Sequence, residues 1–360
     1  MKRNFGPSDL EAAILGGLVL SAGGSGRGSA GRHRRLGEAA LSYGAVAFAT
    51  LDEFDDDDAL LVSTAVGAPG QGKANTEPRD AVEAAHAVLA ASGVDPGGVI
   101  PGHVPGLYAW VIASALGVPV ADAATNGRAH PTVQMGAMGL ASRPEVNIWQ
   151  AGSAAGDTPL SVLVHGDVTR TSAVMRAAGV QNGGMINAVR GPFTVEFVRT
   201  HGAPGSITFA HGLGDAMLAA RGAARVIAAG EFLRGETFSG EVTENGVAYR
   251  DGFDVGRVSI LTTRGLLALG VYNELMTATL DGKRIATFPD MLASFDARTG
   301  EPVSVSEMKA GEAVAIVIAP SSSIPLGAGV FDPVVYPAVE KAMGEEIARF
   351  ALEKRPSGRG

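Results

Sequence analysis

A short polar loop carries the residue types in this chain that are best suited to chemistry. The apolar run from Val118 to Ala121 predicts a strand that ends on Asp122, and Arg128 and His130 follow shortly after it. Loops after the carboxyl ends of strands are where α/β folds place ligands. A carboxylate, a guanidinium and an imidazole this close can bind an anion, orient a carbonyl group or move a proton. We therefore predict that Asp122, His130 and Arg128 are catalytic, with a loop-pinning Asp122–Arg128 salt bridge as the equally favoured structural alternative.

Polar and glycine residues elsewhere complete a predicted substrate site. His103 lies in a loop rich in glycine and proline that follows the apolar pair Val99-Ile100. A glycine cluster near the N terminus precedes a predicted helix, and backbone amides at a helix N-terminus can donate to an anion. The predicted substrate-binding residues are His103, Asn126, Gln134, Gly24 and Gly26.

A second use for the histidines is metal binding. His103, Asp122, His130 and His165 all fall at the ends of predicted strands or in the loops that follow them. Two histidines and a carboxylate are a usable set of catalytic zinc ligands. A divalent metal, zinc in the first instance, is therefore the one cofactor that these residues could hold, and no other cofactor is expected. No HxH or HExxH spacing supports the metal, so a metal-free site is the alternative.

The composition excludes several classes of function. The chain has no cysteine, which removes thiolate catalysis, disulfides and Fe–S clusters and fits a reducing cytoplasm. Its net charge is -8 and it has no dense basic stripe, so neither nucleic acid nor an anionic membrane is an expected partner. The basic run from Arg32 to Arg35 is interpreted as a solvated helix face. Gly16-Gly17 splits the apolar run near the N terminus, which favours a buried helix over a signal sequence.

The order of predicted elements indicates two domains. A chain of 360 residues exceeds what one hydrophobic core usually organises. Strands and helices alternate over residues 1–232, which predicts an α/β domain with a largely parallel sheet. Short strands between turns over 233–325 predict a β-rich domain, and a helix within 330–354 is expected to pack back on the first domain. Residues 192–201 are predicted to be helical. We expect a small-molecule substrate and, from the habit of such enzymes, a homo-oligomer.

The order of motifs over most of the chain resembles the S-methyl-thiohydantoin desulfurase-like family, long catalogued as a domain of unknown function near hydantoin and oxoproline hydrolases. The resemblance implies an α/β domain joined to a β-rich domain and hydrolysis of a five-membered cyclic amide or thioamide. The motifs that carry it are Gly23-Gly24-Ser25-Gly26, Val66-Gly67-Ala68-Pro69, Leu116 to Asp122, Gly127 to Pro131, Gln134-Met135, Phe238 to Val242, Gly252-Phe253, Gly256-Arg257, Tyr272-Asn273-Glu274, Phe288-Pro289-Asp290, Asp296 and Thr299 to Pro302.

This chain departs from the family pattern around the predicted site. Ala124 and Thr132 stand where the family tends to carry acidic residues, and His130 stands where it usually has an aromatic residue. The pocket should therefore be less anionic, with imidazoles in place of carboxylates. With these departures, the resemblance implies a hydrolase-like enzyme in which water attacks an sp2 carbon of a small cyclic amide, imide or (S-methyl)thiohydantoin-type ring.

Two other functions remain open. Residues 26–31 fit the G-x-G-x-x-G pattern and Asp52 follows a predicted strand, as in NAD(P)-binding oxidoreductases. The missing carboxylates also fit a non-catalytic subunit of a hydantoinase- or oxoprolinase-like complex. In the β-rich domain, Asn273-Glu274 and Pro289-Asp290 either line the cleft between the domains or form turns, and we favour turns.

Overall fold

The computed structural model describes residues 3–67, 76–155, 158–250 and 252–355, and it contains two large sheets. The first has the strand order β1-β2-β5-β4-β3-β9-β7-β8. Its strands are β1 (Arg3–Phe5), β2 (Val46–Ala49), β3 (Ala59–Gly67), β4 (Gly98–Pro101), β5 (Val120–Ala121), β7 (Ile148–Ala154), β8 (Leu160–Gly166) and β9 (Met185–Thr194). A small two-stranded sheet pairs β6 (Ala123–Ala124) with β10 (Ala203–Pro204).

The first sheet is mixed in direction. Its four central strands β2, β5, β4 and β3 are parallel, and the remaining pairings are antiparallel. The predicted α/β domain with a parallel sheet is confirmed, but "largely parallel" describes only this half. The difference arises at β9, which occupies residues 185–194 and pairs with both β3 and β7. This strand was not predicted from the sequence, and the helix predicted over 192–201 begins only at Val195.

The helices cover the first sheet and connect its strands. Two glycines let α1 and α7 approach closely, since a Cβ on Gly16 would lie 1.9 Å from Ala210 O and one on Gly214 would lie 2.0 Å from Ala12 O. The helices are α1 (Pro7–Leu20), α2 (Arg27–Tyr43), α3 (Pro78–Ser92), α4 (Leu107–Leu116), α5 (Val168–Gln181), α6 (Val195–His201), α7 (Ser206–Leu218), α8 (Ala224–Leu233), α9 (Pro337–Met343) and α10 (Ala348–Leu352). In the part of the chain that is described, no helix combines the length and apolar content of a membrane span.

The second sheet is antiparallel and confirms the predicted β-rich domain. Its strand order is β16-β15-β14-β13-β11-β18-β17, with β12 paired to β13. Its strands are β11 (Glu236–Asn245), β12 (Ala248–Arg250), β13 (Phe253–Thr262), β14 (Gly265–Tyr272), β15 (Glu274–Leu280), β16 (Lys283–Thr287), β17 (Met291–Asp296) and β18 (Ala313–Ala319). The boundary predicted near residue 232 lies in α8, between the two sheets, and stays a prediction.

The C-terminal segment is divided between the domains. The single predicted helix is replaced by 3-10 turns and the short helices α9 and α10. The turns contact the first domain, where Asp332 accepts a hydrogen bond from Ser142 N (3.1 Å). The segment between the helices docks on the second sheet, because Glu345 accepts from Thr277 Oγ1 (2.8 Å) and pairs with Arg284 (3.1 Å). Only the first part of this segment therefore packs back as predicted.

Candidate functional site

A cavity of about 120 Å³ lies at the junction of the two sheets. An engineered protein cavity of about 150 Å³ holds one benzene molecule, so this space suits a single small ring. Its walls come from the loop after α1, the start of α2, the end of β3, the loops before α4 and after residue 129, and the turn between β14 and β15. Its polar lining residues are Ser21, Ser25, Arg32, His33, Ser63, Thr64, His103, Tyr108, His130, Thr132, Arg176, Arg190, Asn273 and Glu274.

Two predicted histidines meet in this cavity. The rings of His103 and His130 are arranged edge to face, with their centroids 6.0 Å apart. Nδ1 of His103 lies 2.9 Å from Val104 O, and Nδ1 of His130 lies 3.0 Å from Thr132 O. A carbonyl oxygen only accepts, so Nδ1 carries the proton in each ring and Nε2 is left with the lone pair. The two rings are therefore oriented as proton acceptors.

Burial keeps both rings neutral. It lowers the pKa of His103, and it lowers the pKa of His130 to about 3, with further contributions from the neighbouring His103 and Arg190. Nε2 of His130 is buried without a hydrogen-bond partner, and a Cβ on Gly136 would lie 2.3 Å from it. His103 has no such buried, unpartnered nitrogen in the described structure. The two histidines thus differ in how freely Nε2 can meet a ligand.

His33 adds a third imidazole that the sequence analysis missed. Both of its ring nitrogens are buried without a hydrogen-bond partner. Burial first, and then the charge of Arg32 and the nearby His103, lower the pKa of His33 to about 3. The basic run was interpreted as a solvated helix face, but Arg32 and His33 face the cavity while Arg34 faces outward and pairs with Glu11 (2.8 Å). The 3.6-residue period of α2 separates these directions.

Glu274 contributes a carboxylic acid that is held neutral. It is 7% exposed, and Oε2 has no hydrogen-bond partner. Burial raises the pKa of Glu274 to about 8, although Arg128 and Arg176 oppose that shift. The residue before it, Asn273, has a left-handed φ of 59° and turns the chain between β14 and β15. The sequence offered a turn or a cleft lining for this pair, and the structure contains both. Asn273 makes the turn, and the turn directs Glu274 into the cavity.

Three arginines line the same cavity. Arg190 is buried and donates to Gly136 O (2.7 Å) and Val133 O (3.3 Å), and burial lowers its pKa to about 10. Arg176 lies over the ring of Phe253, with Cζ 4.1 Å from the centroid. Arg32 has Met185 Sδ at 3.7 Å. Over residues 3–67, 76–155, 158–250 and 252–355, no carboxylate lies within ion-pair distance of any of the three guanidinium groups.

Asp122 lies outside the cavity lining and caps a helix. Its Oδ1 accepts from Ile207 N (3.1 Å) and Thr208 N (3.0 Å), and its Oδ2 accepts from Thr208 Oγ1 (2.6 Å). These bonds satisfy amide groups in the first turn of α7, which have no partner inside the helix. The structure thus gives the predicted catalytic carboxylate a capping position, and the alternative salt bridge with Arg128 is not formed.

Replacing Asp122 with alanine should therefore reduce stability more than chemistry. Loss of a helix-capping side chain typically costs about 0.5–2 kcal/mol, so we expect the free energy of unfolding to fall by about 1–2 kcal/mol. Below the unfolding transition, turnover should be retained. Urea denaturation combined with an activity assay checks this, and lost turnover at unchanged stability would restore the catalytic assignment.

Arg128 is buried and links the two domains through hydrogen bonds. Its guanidinium donates to Leu275 O (3.0 Å), Asp290 O and Ala129 O (3.1 Å). Cζ also lies 4.7 Å from the ring centre of Phe288. Because its donors are directed at backbone carbonyl groups, Arg128 joins the loop to the second sheet. It was predicted to be catalytic, but it is not among the residues that line the cavity.

The remaining predicted substrate contacts are mostly structural. Asn126 donates to Arg128 O (2.8 Å) and accepts from Gly327 N (3.1 Å), which fixes its own loop. Gln134 is half-buried and is not part of the cavity lining. Gly24 lies against the acid, since a Cβ there would be 3.0 Å from Cγ of Glu274. Gly24 is thus the one member of this group, besides His103, that borders the site.

The glycine loop joins the two domains and does not have the context of a nucleotide site. It follows helix α1, whereas a dinucleotide fingerprint follows a strand. Two amides at the start of α2 are already bonded, because Arg27 N donates to Pro302 O (2.8 Å) and Gly28 N donates to a carboxylate oxygen of Glu307 (2.8 Å). A Cβ on Gly26 would lie 2.2 Å from Ser304 N. The predicted strand before the loop is therefore a helix, and the NAD(P) interpretation loses the strand on which it depended.

The predicted metal ligands are only partly assembled. His103 and His130 come together, but Asp122 caps α7 and His165 is exposed on β8, stacked on Trp149 with centroids 4.2 Å apart. Within the described ranges, no three His, Cys, Asp or Glu side chains converge as metal ligands would. The two histidines that do meet are the part of the set on which zinc could still be tested.

The fold and the cavity define a two-domain α/β protein with a polar chamber between its two sheets. The chain belongs to the S-Me-THD-like family, because the model of its N-terminal domain matches residues 8–158 and that of its C-terminal domain matches residues 166–325. A crystal structure of a protein from Chromobacterium violaceum is similar in fold, with a TM-score of 0.64 and 20% identity over 88% of this chain and 91% of that one. No curated protein matches the sequence.

Proposed function

We propose that this protein is a hydrolase of a small cyclic amide, imide or (S-methyl)thiohydantoin-type ring, and that water attacks an sp2 ring carbon. One observation carries the proposal: neutral imidazoles and a protonated carboxylic acid face a single ring-sized cavity within the S-Me-THD-like fold. A base and an acid whose pKa values have been moved apart by their surroundings are what such a reaction requires.

His103 is the proposed general base. Its Nδ1–H donates to Val104 O, so Nε2 can take a proton from water. His130 is less suited, because its Nε2 is packed under Gly136 and its pKa of about 3 makes it a weak base at neutral pH. His130 instead packs edge to face against His103 and helps to position that ring.

Glu274 is the proposed general acid. As water adds to the ring carbon, His103 takes one water proton and Glu274 gives its proton to the ring nitrogen. When the carbon–sulfur bond of an S-methyl ring breaks, the protonated His103 returns its proton to the leaving sulfur, and the new hydroxyl returns one to Glu274. The products are the ring carbonyl and methanethiol, and both side chains are restored. Ring opening of a cyclic amide uses the same two groups at the carbon–nitrogen bond.

The metal, the partner and the compartment remain proposals. A divalent metal, zinc in the first instance, is the alternative to His103 as base: it would be held by Nε2 of His103 and of His130, with Gly136 moved away from the latter, and would polarise water or the ring in place of the base. We also expect a cytoplasmic enzyme that assembles as a homo-oligomer and acts on a small molecule. The absence of cysteine is the observation behind the compartment.

Elemental analysis by plasma mass spectrometry and a turnover screen test the proposal together. The purified protein is assayed on hydantoins, S-methyl-thiohydantoins and small lactams, with thiol release and ring opening as readouts. Turnover of any ring supports the hydrolase, and stoichiometric zinc, manganese or iron adds a metal to the two histidines. Failure on every ring would overturn the proposed function and favour a non-catalytic subunit.

A further inference from the structure

We propose that the substrate of this cavity carries a carboxylate substituent, which Arg176 and Arg32 bind. This inference rests on the proposed ring hydrolysis and adds the chemical class of the ring's side group. It comes from the charge of the cavity lining, where three guanidinium groups face one carboxylic acid. The guanidinium groups are ionised at neutral pH, including that of Arg190 with its pKa of about 10, so the chamber carries excess positive charge.

Arg32 and Arg176 differ from two arginines nearby in having no carboxylate partner within the described residues. On the same helix as Arg32, Arg27 pairs with Asp296 (3.0 Å) and Arg34 pairs with Glu11 (2.8 Å). Arg32 and Arg176 have no such carboxylate in the described structure, and their contacts are a sulfur atom, an aromatic face and a carbonyl oxygen at 3.4 Å. A carboxylate supplied by a ligand would give Arg32 and Arg176 the pairing that Arg27 and Arg34 obtain from the protein.

Unpartnered buried polar atoms at the same place also point to a ligand. They include Nε of Arg190, both ring nitrogens of His33 and Oε2 of Glu274, all in residues that line the cavity. Buried polar groups are nearly always hydrogen-bonded in native proteins, so a cluster without partners is typical of a binding site. Its donors and acceptors fit a polar ring with an anionic group better than an apolar ligand.

The cavity has more positive charges than the proposed reaction needs, which suggests that some of them bind the substrate before reaction. Negative charge that develops on a neutral ring during water attack is neutralised by the proton from Glu274, so the reaction itself does not require three guanidinium groups. Arg190 is the member beside the histidines, since it donates to Gly136 O (2.7 Å) and Gly136 packs against the ring of His130. The other two then remain for a substrate group that is already charged before reaction.

Calorimetric titration with two matched ligands tests this subsite. Hydantoin-5-acetic acid and the uncharged hydantoin-5-acetamide have the same ring and nearly the same shape. We expect the acid to bind at least about tenfold more tightly, the range of a good charge-assisted contact. In Arg176→Gln and in Arg32→Gln the ratio of the two dissociation constants should fall toward one. The matched controls Arg170→Gln and Arg35→Gln replace exposed arginines on the same two helices and should keep the ratio.

Two outcomes would overturn the carboxylate subsite: equal binding of acid and amide, or no detectable binding of the acid. The ligand titration is independent of turnover, so the two proposals fail separately. Tight, arginine-dependent binding of the acid without hydrolysis of any ring would remove the proposed reaction and leave the subsite. Hydrolysis of uncharged rings with no preference for the acid would remove the carboxylate subsite and leave the proposed reaction.

Discussion

Replacing Glu274 with glutamine is expected to lower kcat/KM for ring hydrolysis by about 10²–10⁴-fold, the usual contribution of a positioned general acid. Glutamine keeps the size of the side chain and its contact with Gly24, but it cannot give a proton to the ring nitrogen. The pKa of Glu274 is about 8, so the wild-type activity should decline as pH rises through that value. A pH series of kcat/KM checks both effects, and the residual activity of the variant should lack this alkaline decline.

The same substitution has a stability signature that separates chemistry from misfolding. Because the pKa of Glu274 is raised from 4.5 in the folded state, the wild type loses stability as pH rises from about 4.5 through about 8. Glu274→Gln should escape that loss and be the more stable protein at pH 9. Glu244→Gln, an exposed residue of β11, is the matched control for both measurements. Wild-type kcat/KM with an unchanged alkaline decline in Glu274→Gln would remove Glu274 from the mechanism.

Local sequence signals were sufficient for much of the first domain. Helix α4 was predicted at 107–116 and occupies Leu107–Leu116, since an apolar run is bounded by Gly106 and Gly117, both of which have left-handed φ. The strand β9 was missed because its pattern is broken by polar residues such as Asn187 and Arg190 that are buried in the structure. Their partners lie more than fifty residues away, so hydrophobic periodicity could not report them.

The loop after Asp122 shows why residue type alone did not locate the site. It does follow a strand of the parallel sheet, as expected, but its charged groups are used by the fold. Asp122 is bonded to residues 207 and 208, and Arg128 to the carbonyl groups of Leu275 and Asp290. A carboxylate that caps a helix and one that acts in catalysis can both follow a strand in the sequence. Only the residues that they contact in the folded protein distinguish them.

Glu274 had one local signal, the interruption of a predicted strand by Asn273. Asparagine tolerates left-handed φ, so it marks the turn. Gly24, which packs against Glu274, and the arginines that act on its pKa belong to the first domain. In the same way, His33 and Arg32 reach the cavity because the loop before α2 docks on the second sheet. Groups at a domain junction acquire their chemistry from both domains, which no single segment reveals.

His103 and His130 differ enough that substituting each should give different losses. We expect His103→Gln to lower kcat/KM by about 10²–10⁴-fold, because it removes the general base. His130→Gln should lower it by a smaller factor, since Nε2 of His130 is buried under Gly136 and its loss disturbs only the packing of the His103 ring. Steady-state kinetics on an S-methyl-thiohydantoin compare the two, with the exposed His86→Gln of α3 as the matched control.

The pH dependence of kcat/KM should also distinguish His103 from His130. Burial lowers the pKa of His103, so wild-type activity should decline only at a pH below the ordinary value of 6.5. That acid decline should disappear in His103→Gln and persist in His130→Gln. The opposite pattern, with the larger loss and the missing decline in His130→Gln, would make His130 the base despite its covered nitrogen. It would also require the loop around Gly136 to open when substrate binds, because a proton can be transferred only to a nitrogen that the water can reach.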